Sequence, residues 1–133
     1  MYRSIMEAIA YEYSIYLKII KGLTGEAEFS NVIAIGGGSK SRVFNSIKAD
    51  VLGICYNTLD RADTATFGSA VTAGFGVKIY DNIEETIDKL IVKKDEIKPD
   101  RTNQSVYEKN SEIYYSLYDS LENAYRKVGM AKR

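Results

Sequence analysis

Apolar side chains recur at helical spacing from the start of the chain. Ile5, Ile9, Tyr13, Tyr16, Leu17 and Ile20 fall together, while Glu7, Glu12, Ser14 and Lys18 fall largely elsewhere on the wheel. The spacing predicts a helix over 2–21 whose apolar stripe covers a sheet. Gly22 ends it, with Lys18 and Lys21 placed to complement the helix dipole. Residues 22–30 form a polar connection. Val32 to Ile35 is an unbroken apolar run, the pattern of a strand buried on both faces. Gly36, Gly37 and Gly38 stop it. A second helix runs to about Leu52, capped by Ser39 or Ser41, with Val43, Phe44, Ile47 and Val51 as its buried stripe. Gly53 closes that helix, and residues 54–57 form the next short strand.

The second half of the chain reads as helices and connections. Residues 58–63 are a loop in which Asp60 and Asp63 have the three-residue offset of a capping box. The helix they introduce runs from Thr64 to about Tyr80. It is rich in small residues, among them Ala65, Gly68, Ala73, Gly74 and Gly76. Glycine inside a helix costs about 1 kcal/mol against alanine, so this composition predicts close approach of another backbone or a ligand. A short helix over 82–90 is capped by Asp81 or Asn82. Residues 91–104 carry many charges and Pro99, and read as a surface connection. A last helix over 105–128 places Tyr107, Tyr114, Tyr118, Leu121 and Tyr125 on one core-facing stripe, and Gly129 to Arg133 form a frayed tail.

Helix, strand, helix, strand, helix is the rhythm of an α/β domain, with helices packed on a small parallel sheet. Two parallel strands do not make a stable open sheet. The pattern therefore requires a third strand or a partner chain on an exposed edge, and predicts self-association there.

Composition narrows the function classes. The 133 residues are one domain or a piece of one, with 45% apolar and 27% charged residues. Lys plus Arg and Asp plus Glu both count 18, so no net field attracts nucleic acid or an anionic membrane. Charges through the first helix exclude a signal peptide or membrane span there. A single cysteine, Cys55, suits a reducing cytoplasm and sits in an apolar strand as a small hydrophobe. Histidine is absent, which excludes imidazole acid–base chemistry and histidine-ligated zinc.

The candidate chemistry lies at the glycine turn. Glycines between a strand and a helix let backbone approach a phosphate or ribose, and the helix start offers free N–H groups and partial positive charge. A tight turn that only packs the helix explains the same residues equally well. The established phosphate fingerprints do not match: Ser41 stands where a dinucleotide turn needs glycine, and Gly38 to Ser41 is not a Walker loop. Lys40 reads as a solvated lysine. Asp50, Asp60 and Asp63 fit helix ends better than a magnesium site. Acidic residues on the last helix argue against a base-stacking platform.

Taken jointly, these segments resemble a family. Gly36 to Gly53 is similar to the C-terminal domain of the FGGY carbohydrate kinases, with a triple-glycine turn, a helix and an Ala49-Asp50-Val51-Leu52-Gly53 end. Asp63 to Gly74 resembles the helix that follows in that family, with Asp63 for the usual Glu and with Phe67 and Ser69 for smaller residues. Residues 2–10 resemble the helix before the turn, and Pro99 followed by Tyr107, Tyr114 and Tyr118 resembles the tail. The resemblance implies part of an actin-like, ribonuclease-H-like ATPase domain, with ATP and Mg²⁺ in a cleft. It places Gly36, Gly37 and Gly38 near the phosphates or ribose, Ser41 near the adenosine, and Asn45 one helical turn on. Gly68 would let the next helix pack close by. The catalytic Asp of the family, its sugar-binding domain and its first strands have no counterpart here, so residues 1–133 read as the C-terminal portion of a nucleotide-binding domain. Met1 lying directly before a helix adds to the expectation of a shortened or separately encoded piece, inactive alone. The implied partners are a nucleotide and a sugar bound by the remainder. A non-catalytic nucleotide-binding or assembly module is the alternative.

Overall fold

The computed structural model describes residues 1–25, 28–61 and 63–130, except for the side chains of Tyr118 and Met130. Five α-helices and three strands follow one another among these residues. They are α1 (Tyr2–Thr24), β1 (Asn31–Ala34), α2 (Arg42–Leu52), β2 (Cys55–Leu59), α3 (Thr64–Gly76), α4 (Ile83–Leu90), β3 (Lys93–Ile97) and α5 (Gln104–Met130). Two 3₁₀ turns, Gly37–Lys40 and Arg101–Asn103, precede α2 and α5.

The sheet is mixed rather than purely parallel. Its order is β1-β2-β3; β1 runs parallel to β2, with Val32 beside Tyr56, and β3 runs antiparallel to β2, with Ile97 opposite Tyr56. The third strand that the pattern required comes from 91–104, the stretch expected to be a surface connection. Its disguise is chemical. Lys93, Lys94, Asp95 and Glu96 are exposed and only Ile97 is buried, so the strand shows charge where a core strand shows alternation. Ala34, Ala49, Tyr56 and Ile97 meet in the core, with Val32 and Leu52 packed on them.

Helix ends follow local chemistry. Gly25 and Gly53 take left-handed conformations, with φ of 70° and 66°, and cap α1 and α2. α1 therefore passes Gly22 before it stops. Ser41 caps α2 by accepting from the Phe44 N–H, and Asn82 caps α4 by accepting from the Glu85 N–H. Asp63 is itself the N-cap of α3, accepting from the Thr66 N–H and hydroxyl, and these bonds hold its carboxyl below the usual range. Asp60 plays no part in a box; it pairs with Arg61 at 3.0 Å. α3 ends at Gly76, short of Tyr80. The Tyr80 ring lies over Gly74, where a Cβ would stand 2.6 Å from it. Gly68 has no such neighbour among the described residues.

Two expected helix stripes and one strand are covered differently from the expectation. Ala10, Tyr11 and Ser14 form the buried face of α1, whereas Ile5, Ile9, Tyr13, Tyr16 and Ile20 stay exposed. The buried face meets α5 through paired tyrosines. Tyr107 donates to Glu7 at 3.0 Å and accepts from Arg3 at 3.0 Å; Tyr114 donates to Glu12 at 2.7 Å; and the Tyr115 hydroxyl meets Ser14 Oγ at 2.6 Å. Beyond them Leu121 and Tyr125 are exposed, so the α5 stripe is core only in its first half. Gly129 belongs to α5, and residues 131–133 lie outside the described chain. The apolar run Val32 to Ile35 is not covered on both faces either: Ile33 and Ile35 are 47% and 58% exposed. Cys55 is half-buried.

Tyr56 gives the core a pH signature. Burial, with the nearby Tyr13 phenol, pushes its hydroxyl up to about 12. A phenol in the unfolded chain releases its proton near pH 10. The unfolded state therefore deprotonates first, and stability falls as pH rises from about 10 to 12, by at most roughly 2–3 kcal/mol. Urea midpoints across that window should fall less steeply for Tyr56→Phe than for the parent. Equal slopes would mean that the ring is not protected.

Candidate functional site

The site is built on the segment that joins β1 to α2. Gly36 has φ 75° and ψ −170°, a conformation that side-chain-bearing residues rarely adopt. It swings the chain from the strand into the 3₁₀ turn Gly37–Lys40. Gly36 then serves as an acceptor, its carbonyl taking the Ser39 N–H at 3.2 Å and the Ser39 hydroxyl at 2.7 Å. The Gly38 carbonyl takes the Ser41 N–H at 3.3 Å, and Ser41 starts α2. The turn is thus pinned by its own residues while the Gly37 backbone stays open. Among the described residues beyond its chain neighbours, a Cβ on Gly37 would meet no atom within 4 Å, and one on Gly38 would touch the Phe44 ring at 3.8 Å.

Gly36, Gly37, Gly38 and Ser41 share this one turn, whereas Asn45 lies beneath it. Asn45 is 0% exposed, and its amide donates to the Ser39 carbonyl at 2.7 Å. It fixes the turn from below. Its Oδ1 is buried without a hydrogen-bond partner among the described residues.

The turn contributes to two cavities. Ser39, Lys40, Arg42 and Asn45 line one of about 260 Å³, closed by Thr58 and Asp60 at the end of β2 and by Lys94 and Asp95 on β3. Gly38 lines the other, of about 390 Å³, with α1, β1 and the Phe44 and Lys48 side chains of α2. Of the three aspartates weighed as magnesium ligands, Asp60 borders the first cavity but pairs with Arg61, and Asp63 caps α3. Asp50 accepts from the Asp100 N–H at 2.7 Å and the Asn103 amide at 3.0 Å, tying α2 to the turn before α5. Among the described residues, no three carboxylate or cysteine side chains cluster as a metal site.

Sequence reasoning passed over Lys48. It is 6% exposed and lies 4.3 Å from the Phe44 ring centre, 5.1 Å from Tyr56 and 5.8 Å from Tyr13. Burial pushes its ammonium below the ordinary lysine range. The ion pairs of the described residues do not include it. The signal was present: Phe44, Lys48 and Leu52 recur at four-residue spacing, which puts a lysine on an apolar face.

With this geometry in hand, comparison with known proteins is decisive. Residues 1–77 match the model of the C-terminal domain of the FGGY family of carbohydrate kinases. The chain belongs to the FGGY family. Among its FGGY relatives, a xylulose kinase of Staphylococcus epidermidis is 27% identical over 119 residues, covering 90% of this chain and 23% of that protein. An autoinducer-2 kinase of Salmonella choleraesuis is 32% identical over 118 residues, covering 89% and 22%. In fold, the FGGY chain overlays ligand-bound xylulose kinase from Lactobacillus acidophilus with a TM-score of 0.80 at 17% identity, covering 95% of this chain and 25% of that one. Glycerol kinase of Plasmodium falciparum, solved with ADP, gives 0.72 at 21% identity, covering 90% and 24%. The α/β architecture is that of the actin-like FGGY kinases. The chain spans 22–25% of the length of these relatives. Among the described residues, no helix is long and apolar enough to cross a membrane.

Proposed function

We propose that this FGGY chain is one wall of the ATP site of a sugar kinase. That enzyme transfers the γ-phosphoryl group of ATP to a sugar or polyol hydroxyl. The observation that carries the reading is the open backbone of Gly37, held between a glycine-only bend at Gly36 and the capped start of α2. Such a turn admits a phosphate or ribose to van der Waals distance and offers it N–H groups and the helix dipole. A similar fold is solved with ADP in a glycerol kinase. In this reading Gly36, Gly37 and Gly38 face the phosphates or ribose, and Ser41 lies on the adenosine side. Asn45 is a positioning residue that keeps the turn in shape.

Phosphoryl transfer depends chiefly on positioning and charge stabilisation, so a wall that orients the nucleotide takes part in catalysis. Mg²⁺ enters with the ATP phosphates in the whole enzyme. The carboxylates described here do not fit it: Asp50, Asp60 and Asp63 are each engaged in other bonds. The general base for the sugar hydroxyl, and the sugar site, belong to the remainder of such a kinase. The lone Cys55 and a sugar-phosphorylating role both suit the cytoplasm.

The chain alone is expected to show no sugar-dependent ATP turnover in a coupled assay. A rate far above background would overturn the division of labour between this wall and the remainder. The free edge of β1 and its half-exposed isoleucines favour a second reading, an assembly module without chemistry. Nucleotide titration separates the two: a module of that kind leaves the Gly36–Ser41 amides unmoved. The isolated chain is also expected to self-associate through the β1 edge at high concentration. A strictly monomeric species by light scattering would contradict this.

A further inference from the structure

The first cavity, beside the glycine turn, holds groups that the turn alone does not explain. Its volume of about 260 Å³ takes part of a nucleotide rather than the whole. Asn45 lines it and is 0% exposed. The Asn45 amide group is committed to the Ser39 carbonyl at 2.7 Å, which fixes the orientation of the side chain. Oδ1 is thereby left as a buried acceptor without a partner among the described residues. A buried acceptor left unpaired is costly, so it calls for a donor.

Two carboxylates line the same cavity. Thr58, 5% exposed, donates to Asp95 Oδ2 at 3.3 Å and ties that side chain to β2. Arg61 pairs with Asp60 at 3.0 Å and holds its carboxyl below the usual range, so it stays an acceptor. Lys40, Arg42 and Lys94 bring three cations, and α2 starts here with Ser41 as its cap. Acceptors and cations side by side suit one molecule that carries both hydroxyl donors and phosphate. We infer that this cavity is the ribose pocket of the nucleotide wall, in which Asn45 Oδ1 and the Asp60 and Asp95 carboxylates accept from the vicinal 2′- and 3′-hydroxyls and so select ribonucleotides over deoxyribonucleotides.

The inference rests on the nucleotide reading and narrows it: with the ribose here, the backbone of Gly36 to Gly38 is left to the phosphates. A base is a poorer occupant, because bases are held by stacking and none of the described side chains lining the cavity is aromatic. A phosphate inside the cavity would face two carboxylates and an acceptor oxygen. A free sugar offers the same diol but leaves the cations and the helix start without an anion. Oδ1 is covered, so the pairing requires the turn above it to ease outward as the hydroxyl enters.

The test titrates ATP, 2′-deoxy-ATP and 3′-deoxy-ATP into the full chain at fixed salt, with backbone and Asn45 side-chain amide shifts read by NMR. ATP should bind about tenfold more tightly than either deoxy analogue, the loss expected when a buried acceptor goes unpaired. It should move the Asn45 side-chain amide and the Asp95 backbone amide, and 2′,3′-dideoxy-ATP should leave both in place. Asp95→Ala, at an exposed strand position, should narrow the ratio of ATP to deoxy-ATP affinity. Asn45→Leu should narrow it further. A merely structural role for either residue would weaken all the nucleotides alike and keep the ratio. Equal affinities of the parent for the three nucleotides would overturn the inference, as would a ratio unchanged in both variants. Free ribose or xylulose that moves the Asn45 and Asp95 signals where ATP does not would show a sugar site instead, and would overturn it too. ATP that leaves the Gly36–Ser41 amides unmoved fails the nucleotide reading itself, whereas turn shifts without a preference for the hydroxyls fail the ribose pocket alone.

Discussion

Gly37→Val is expected to fold and melt as the parent does, and to lose nucleotide at least tenfold. The two halves of this expectation come from one geometric fact. Apart from Gly37 and its two chain neighbours, no atom of the described residues lies within 4 Å of where a Cβ on Gly37 would stand, and its backbone is not in the left-handed region. The added branch therefore meets nothing when the site is empty. In the proposed complex it occupies the volume into which a phosphate or ribose must come to touch the backbone. Calorimetric titration of ATP into both proteins measures the loss, with a thermal melt to confirm equal stability. Equal affinities would remove the turn from the nucleotide site. Gly36→Ala offers the contrast. Its φ of 75° with ψ of −170° strains any side-chain-bearing residue, by roughly 1–3 kcal/mol, so this variant should lose stability as well as affinity.

Ile97→Ala is expected to destabilise the chain by roughly 2–4 kcal/mol, a large part of what a small domain has. Ile97 is the buried residue of β3 and lies opposite Tyr56 in the ladder. Its removal leaves a cavity against Ala34, Ala49 and Tyr56 and weakens the strand that completes the sheet. The urea midpoint should fall with little change in slope. Hydrogen exchange should show the β3 amides opening before those of β1. A loss below about 0.5 kcal/mol would mean that β3 is an ornament and that the sheet stands on two strands.

The contrast between β3 and the glycine turn shows what the sequence could disclose. The turn was legible because glycine has a backbone meaning of its own: Gly36 and Gly53 take the positive φ that the lack of a Cβ permits. Helix caps at Ser41 and Asn82 were legible for a similar local reason. β3 was not, because an edge strand with one buried side chain needs no alternation, and its partner lies far back in sequence. The wheel of α1 was ambiguous in another way. It has apolar residues around much of its circumference, and periodicity cannot say which face this chain covers. Tyr11 and Ser14 are held by the tyrosines of α5, across a separation of about a hundred residues that no local pattern encodes. Asn45 was singled out from its place after the turn, but its role as a pin depends on a fold-back of six residues seen only in three dimensions.

The clasp between α1 and α5 sets an order on the making of the molecule. Arg3, Glu7, Glu12 and Ser14 find their partners at Tyr107, Tyr114 and Tyr115, so the start of the chain waits for almost its end. At synthesis rates of about 5–20 residues per second, that wait is on the order of 5–20 s. Over that time α1 can already pack on α2, while its side facing α5 stays bare. The α5-facing side of α1 is thus among the last surfaces of these residues to be settled, and a chaperone that shields amphipathic helices has its longest opportunity there.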